Sequence, residues 1–315
     1  MGARRRAWFI TITALALGLV LVPQASARET APRQVLKHIT AKNAGGGVNS
    51  GDVGTELAPA SRTAKARTNG ISYHGGPVIL GTTNAYVIWY GNWPGTSTTP
   101  AILTDMLGSI GGSPYFNINT TYYNGSNTHV TNAVALKGTT TDAYSRGVAL
   151  SDNDVQAVVQ SALSSNRLPV DPNGVYFVLT SSDVSETSGF LTQYCGWHSN
   201  AAMSGADIKF AFVGDPSLLL SACAAQTSSS PNGNVAADAM ASIIAHELEE
   251  SVTDPDLNAW FDTRGNENAD KCAWTFGTTY PASNGSRANM KLGTRNYLIQ
   301  RNWVNANGGS CQLKY

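Results

Sequence analysis

An α/β fold is the expectation for this chain, with a single mixed, mostly parallel sheet, packed helices and two disulfides. Apolar, β-branched and aromatic runs alternate with helical patterns between residues 85 and 252. All four cysteines fall late, at Cys195, Cys223, Cys272 and Cys311. A third observation singles out one helix: it ends in His246-Glu247-Leu248-Glu249-Glu250, close before Thr253-Asp254-Pro255.

Ala85-Tyr86-Val87-Ile88-Trp89-Tyr90 reads as a buried strand. Thr99-Pro100 opens a helix that runs through Ile110 and stops at Gly111-Gly112. Asn132 to Leu136 is a weaker strand. Ser151-Asp152-Asn153-Asp154 carries a capping-box pattern and starts the next helix. Gly174 to Thr180 is the strongest strand pattern in the chain, and Ile208 to Val213 the next. A helix over 234–252 follows, and Tyr297 to Val304 is expected as a late strand.

The N-terminal part is set apart by composition. Arg4, Arg5 and Arg6 precede an uncharged apolar run from Ala7 to Val22, and Ala25-Ser26-Ala27 fits a cleavage site. Residues 1–27 are therefore expected to be a secretory signal peptide. Residues 28–70 lack aromatics and contain Gly45-Gly46-Gly47, so they read as a disordered linker or propeptide. The folded domain is expected over 71–315. No later segment approaches the roughly 20 apolar residues of a membrane span. The protein is expected outside the cell, secreted or attached to the cell wall.

The zero formal charge hides an asymmetry. Ten of the 21 Lys/Arg but three of the 21 Asp/Glu lie in residues 1–70, which leaves the remaining body at −7. That excess argues against a nucleic-acid partner. In an exported protein, four cysteines favour two disulfides. Chain order suggests Cys195–Cys223 and Cys272–Cys311, two other pairings being possible. No CxxC pair supports a thiolate metal site.

His246, Glu250 and Asp254 recur every four residues, so successive members are offset by roughly 40° on a helix. An imidazole and two carboxylates thus share a face, with Glu247 beside the histidine. The pattern is similar to the zinc helix HExxH, with Glu250 in place of the second histidine. Glu267 or Asp270 is the expected later ligand, and Asp254 a further candidate. With one coordination position open, bound water would be acidic enough to attack a carbonyl, and Glu247 would be its base. Anionic Glu250 lowers the metal's positive field relative to histidine, which weakens that acidification. Zinc is the expected metal and calcium the alternative, since the ligand set is rich in oxygen.

Met240, Ile244, Leu248 and Val252 form the helix's core stripe. His246 and Glu250 fall at its border, where residues line clefts, while Glu249 points away as a solvated charge. His198 could contact substrate or approach the metal, a structural hydrogen bond being its simpler role. His74 reads as a turn residue, and His129 and His38 as exposed. Trp89, Tyr90, Trp93, Tyr115, Phe116, Tyr122 and Tyr123, interleaved with Asn and Thr, are either core anchors or a surface on which sugars stack.

Several phrases together resemble the phosphate-induced protein 1 family, also called EXORDIUM-like, of secreted plant and bacterial proteins. They are Tyr73-His74-Gly75-Gly76-Pro77, Ile88-Trp89-Tyr90-Gly91-Asn92-Trp93, Asn173-Gly174-Val175-Tyr176, and Thr180-Ser181-Ser182-Asp183-Val184. Cys195-Gly196-Trp197-His198, Ala245-His246-Glu247-Leu248, Asn258-Ala259-Trp260 and Glu267…Asp270…Cys272 continue the series in order. The resemblance implies an extracellular, wall-associated protein and, in plants, a link to growth control; it carries no established reaction. The strand–strand–helix order before His246 also looks like zincin peptidases, in which an edge strand presents substrate beside a metal helix. Two functions are therefore expected in competition. One is a zincin-like, metal-dependent hydrolase acting on peptides. The other is a non-catalytic binder of extracellular peptide or cell-wall glycan with a structural metal. In either case a monomer is expected.

Overall fold

The computed structural model describes residues 70–315 and the backbone of Ile39–Thr40. The expected signal peptide, most of the expected linker, and His38 lie outside the described residues. Ten strands frame the site: β1 (Ile39–Thr40), β2 (Ile71–Tyr73), β3 (Thr83–Tyr90), β4 (Val134–Asp142), β5 (Ala149–Leu150), β6 (Gly174–Thr180), β7 (Ser185–Glu186), β8 (Tyr194–Met203), β9 (Ala206–Gly214) and β10 (Trp260–Asp262). The helices are α1 (Thr99–Ser109), α2 (Asp152–Ser164), α3 (Leu220–Cys223) and α4 (Val235–Thr253). Three antiparallel two-strand ribbons close the chain, ending at Gln312.

The main sheet has the order β1-β8-β9-β6-β3-β4. β4, β3, β6 and β9 pair in parallel, while β8 is antiparallel to β9 and β1 antiparallel to β8. The sheet is therefore mixed, with three parallel and two antiparallel pairings, rather than mostly parallel as expected. β9 follows β8 through a tight turn at Ser204-Gly205, which only an antiparallel hairpin permits.

Strand alternation divides the core in two. Val87 and Trp89 of β3, with Val175, Phe177 and Leu179 of β6, face one side and pack with α1 and α4. Tyr86, Ile88 and Tyr90, with Tyr176 and Val178, face the other and pack with α2. Helix α2 begins with the capping box foreseen at Ser151, whose side chain accepts from the Asp154 amide while the Asp154 carboxylate accepts from the Ser151 amide. Pro near the start of α1 also matches expectation. The strand expected at 132–136 runs on to Asp142 because Thr83–Tyr90 offers a partner along that whole length. The late strand expected over 297–304 is instead broken into pieces of two ribbons, Arg295–Tyr297 and Asn302–Val304. Asn289 breaks it: its side chain binds both the amide and the carbonyl of Ile299.

Helix α4 departs most from its sequence pattern. Every residue from Ala236 to Thr253 is buried, polar ones included. Sheet and α1 cover one face, and the 258–304 segment covers the other through Asn268, Asp270, Gln300 and Asn302. No described helix is long and apolar enough to cross a membrane.

Candidate metal centre

The disulfides pair as Cys195–Cys223 and Cys272–Cys311. The first ties β8 to α3 at Cys195, one residue before Gly196 brings the strand backbone against α4. The second holds the short turn at Asp270–Cys272 to the last ribbon. Together they fix the two segments that face the polar side of α4.

Around that side lie two overlapping groups of ligand-type atoms. His246, Glu250 and Asp270 form one, and His198, Glu250 and Glu267 the other, with the atoms of each group within 4.8 Å of one another. Glu250 is common to both. Its Oε1 lies 3.0 Å from His246 Nε2, and its Oε2 lies 3.8 Å from His198 Nε2. Asp270 Oδ1 stands 3.5 Å from His246 Nε2, and Glu267 Oε2 stands 3.1 Å from His198 Nε2. Backbone amides hold the carboxylates in place: the Asp270 amide donates to Glu250 Oε1 at 3.0 Å, and the Glu267 amide to Asp270 Oδ2 at 3.2 Å.

Glu247 is fully buried one turn back on α4. Its Oε1 lies 3.1 Å from the position that a Cβ on Gly196 would occupy, so it faces β8 on the same strand face as His198. Asp254 joins neither group. It caps the end of α4, where its Oδ1 accepts the amides of Asn258 at 2.6 Å and Ala259 at 2.5 Å. Of the expected ligands, His246, Glu250, Glu267 and Asp270 converge and Asp254 does not.

Two expectations need correction. Glu249 is not a solvated charge: it is buried, and the Asn302 side-chain amide donates to it. The Asn-rich C-terminal segment folds over that helix face, which helical periodicity cannot show. Likewise His246 and Glu250 do not line an open cleft, being 1 % and 0 % exposed. Their place at the stripe's border is covered by residues distant in sequence. His198, expected to contact substrate, approach the metal or make a structural hydrogen bond, lies among the ligand-type groups. Gly196 and His198 share the strand face turned to α4, an alternation set by the pairing of β8 with β9.

The charge balance is unusual. Glu247, Glu249, Glu250, Asp254 and Glu267 are all at most 1 % exposed, and two imidazoles face them. Burial disfavours the charged form of the His246 ring, but Glu250, Asp270 and Glu247 outweigh it and hold its pKa well above the ordinary value. Burial raises the Glu249 pKa well above the carboxylate range. Asp254 is pushed up to about 7, first by burial and then by the charge of Glu267. Carboxylates at this depth need protons or a cation to offset them.

The aromatics offered as a sugar surface are mostly core. Tyr115, Phe116 and Tyr122 are buried, as are Trp89 and Tyr90. His74 stacks on Phe261 with ring centroids 3.7 Å apart, and His129 is exposed, its Nδ1 2.7 Å from the Thr120 carbonyl.

The chain is 30% identical over 272 residues to "Protein EXORDIUM-like 3" of Arabidopsis thaliana, which covers 74% of this chain and 80% of that protein. Over 282 residues it is 30% identical to "Protein EXORDIUM-like 5" of the same plant, covering 76% and 77%. No solved structure matches the chain. The family model described as the phosphate-induced protein 1 conserved region matches residues 71–300, the span that holds β2 to β10, α4 and all the converging side chains, and the chain belongs to that family.

Proposed function

We propose that this is a secreted protein built around a divalent cation, zinc first and calcium second, held by His246, Glu250, His198 and Glu267 or Asp270. The observation that supports it is the convergence of two imidazole nitrogens on the two oxygens of one buried carboxylate, among further buried acids. A cation at that point would offset the charge of the buried carboxylates gathered there. The mixed His/carboxylate donor set suits zinc, and its oxygen content suits calcium.

In this reading the protein is a metal-dependent, peptidase-like hydrolase. The cation supplies a Lewis acid that polarises a carbonyl and acidifies water. Glu247 takes the proton, since it is the carboxylate beside His246 on the face turned to β8. A second reading, a non-catalytic binder of extracellular peptide or wall glycan with a structural metal, is supported by the complete burial of the centre.

Elemental analysis of the purified protein and of His246→Ala tests the metal. One zinc per chain, lost in the variant, is expected; no metal in carefully purified wild type would sink the hydrolase reading. Glu247→Gln separates them. It should keep metal and fold while abolishing peptide hydrolysis, and a Glu247→Gln protein as active as wild type would exclude Glu247 as base.

A further inference from the structure

A cavity of about 520 Å³ is bounded by the 113–115 turn, the β-ribbon at 289–292 and the C-terminal residues 312–314. Three cations line it, Lys291, Arg301 and Lys314, and no Asp or Glu does. That is unexpected in a body with a charge of −7, where acids outnumber bases by 18 to 11 over residues 71–315. Of the eight other described cations, four, Arg167, Lys209, Lys271 and Arg295, stand within 4.0 Å of an Asp carboxylate. None of the three cavity cations has an ion pair among the described residues. Arg301 is held by its Nε, which donates to Thr275 Oγ1 at 3.1 Å.

The rest of the wall is of mixed character. Met290, Leu292 and Leu313 give it apolar surface, and the Tyr115 ring closes one side. Thr278 and Gln312 add hydroxyl and amide groups. Gly277 adopts φ +63°, and a Cβ there would stand 3.3 Å from Arg301 Cδ and 3.4 Å from Leu313 Cδ1. A side chain at this position would be strained and would crowd two lining residues.

We propose that this cavity binds a carboxylated sugar, such as a uronate unit of an acidic extracellular glycan. The volume falls in the range of small-molecule sites, roughly 300–1,000 Å³, well above the needs of a bare anion. Unpaired guanidinium and ammonium groups recognise the carboxylate. Apolar side chains cover the C–H faces of the ring, and the amide and hydroxyl groups meet its hydroxyls. A simple inorganic anion leaves the apolar half of this wall unused. The proposal rests on the glycan-binding reading and names its ligand class, and the metal analysis above stands or falls separately.

The test is isothermal titration of the metal-stripped mature protein with trigalacturonic acid, the neutral galactose trimer and inorganic phosphate, with chelator present to prevent cation bridging. The acidic trimer should bind, more weakly as salt is raised, and the neutral trimer should not. Lys291→Gln and Arg301→Gln should each weaken binding roughly tenfold, the loss of one charge-assisted hydrogen bond. Lys291 is exposed, so its variant keeps the fold even if Arg301→Gln does not. Absence of binding by the acidic trimer overturns the proposal, as does equal binding of the neutral one. Phosphate that binds as tightly and competes would make this a simple anion site and overturn the sugar assignment. His246→Ala should bind the acidic trimer as wild type does; loss there would place recognition at the metal centre.

Discussion

The Glu186 carboxylate accepts from the Ser188 hydroxyl at 2.6 Å, the Ser188 amide at 2.9 Å and the Tyr194 hydroxyl. Burial, joined by the neighbouring Asp152, pushes its pKa up from 4.5 to about 7. The folded value exceeds the unfolded one, so proton binding favours the fold. That contribution is complete below about pH 4 and disappears as pH rises through 7. Glu186→Gln removes the titrating group. Between pH 4.5 and 7.5 the Tm of the variant should therefore gain on wild type by roughly 2–4 °C, read by thermal unfolding at several pH values. A constant offset across that range would contradict the assignment. Other single residues were readable in advance to differing degrees. That the four cysteines form two disulfides was legible, while chain order only suggested the pairing that the structure has among three possible ones. Glu249 was not, because its partner Asn302 lies 53 residues away.

At the scale of elements, the contact between β8 and α4 governs the candidate site. Gly196 lets the strand approach the helix: an added Cβ would stand 2.6 Å from Ile243 Cγ2, 3.0 Å from the Phe212 carbonyl and 3.1 Å from Glu247 Oε1. The Ile243 contact and the backbone carbonyl leave little room to yield. Beside it the register slips: Ile39 faces Gly196 and Thr40 faces Tyr194, so Cys195 bulges next to its disulfide. Gly196→Ala should cost roughly 1–3 kcal/mol in denaturant unfolding and reduce the bound metal. An unchanged midpoint would mean that β8 and α4 can separate without loss. Element identities were legible where local signals are strong, as in the Ser151 capping box and the apolar run of β6. The path of β8 was not, since Cys195-Gly196-Trp197-His198 carries little strand periodicity and pairs in response to β9.

For the molecule as a whole, an excess of buried acid makes stability depend on whatever offsets it. A cation that binds only the folded state adds stability that grows with its concentration over Kd, roughly 2.7 kcal/mol at a hundredfold excess. Chelator should thus lower the Tm of wild type by several degrees at neutral pH and leave His246→Ala unmoved. Equal curves with and without chelator would mean that no bound cation stabilises the fold.

The sequence by itself determined the family, an α/β class with two disulfides, and a pool of candidate ligands that included His246, Glu250, Glu267 and Asp270. These are matters of local pattern, ordered motif and residue chemistry, all of which are written along the chain. Tertiary structure alone decided that His198 joins them, that Asp254 caps a helix, and that α4 is buried on every side. It also gathered three unpaired cations around one cavity. Each of these depends on which distant segments meet, and such meetings are set by the packing of the sheet and its covering segments rather than by any window of neighbouring residues.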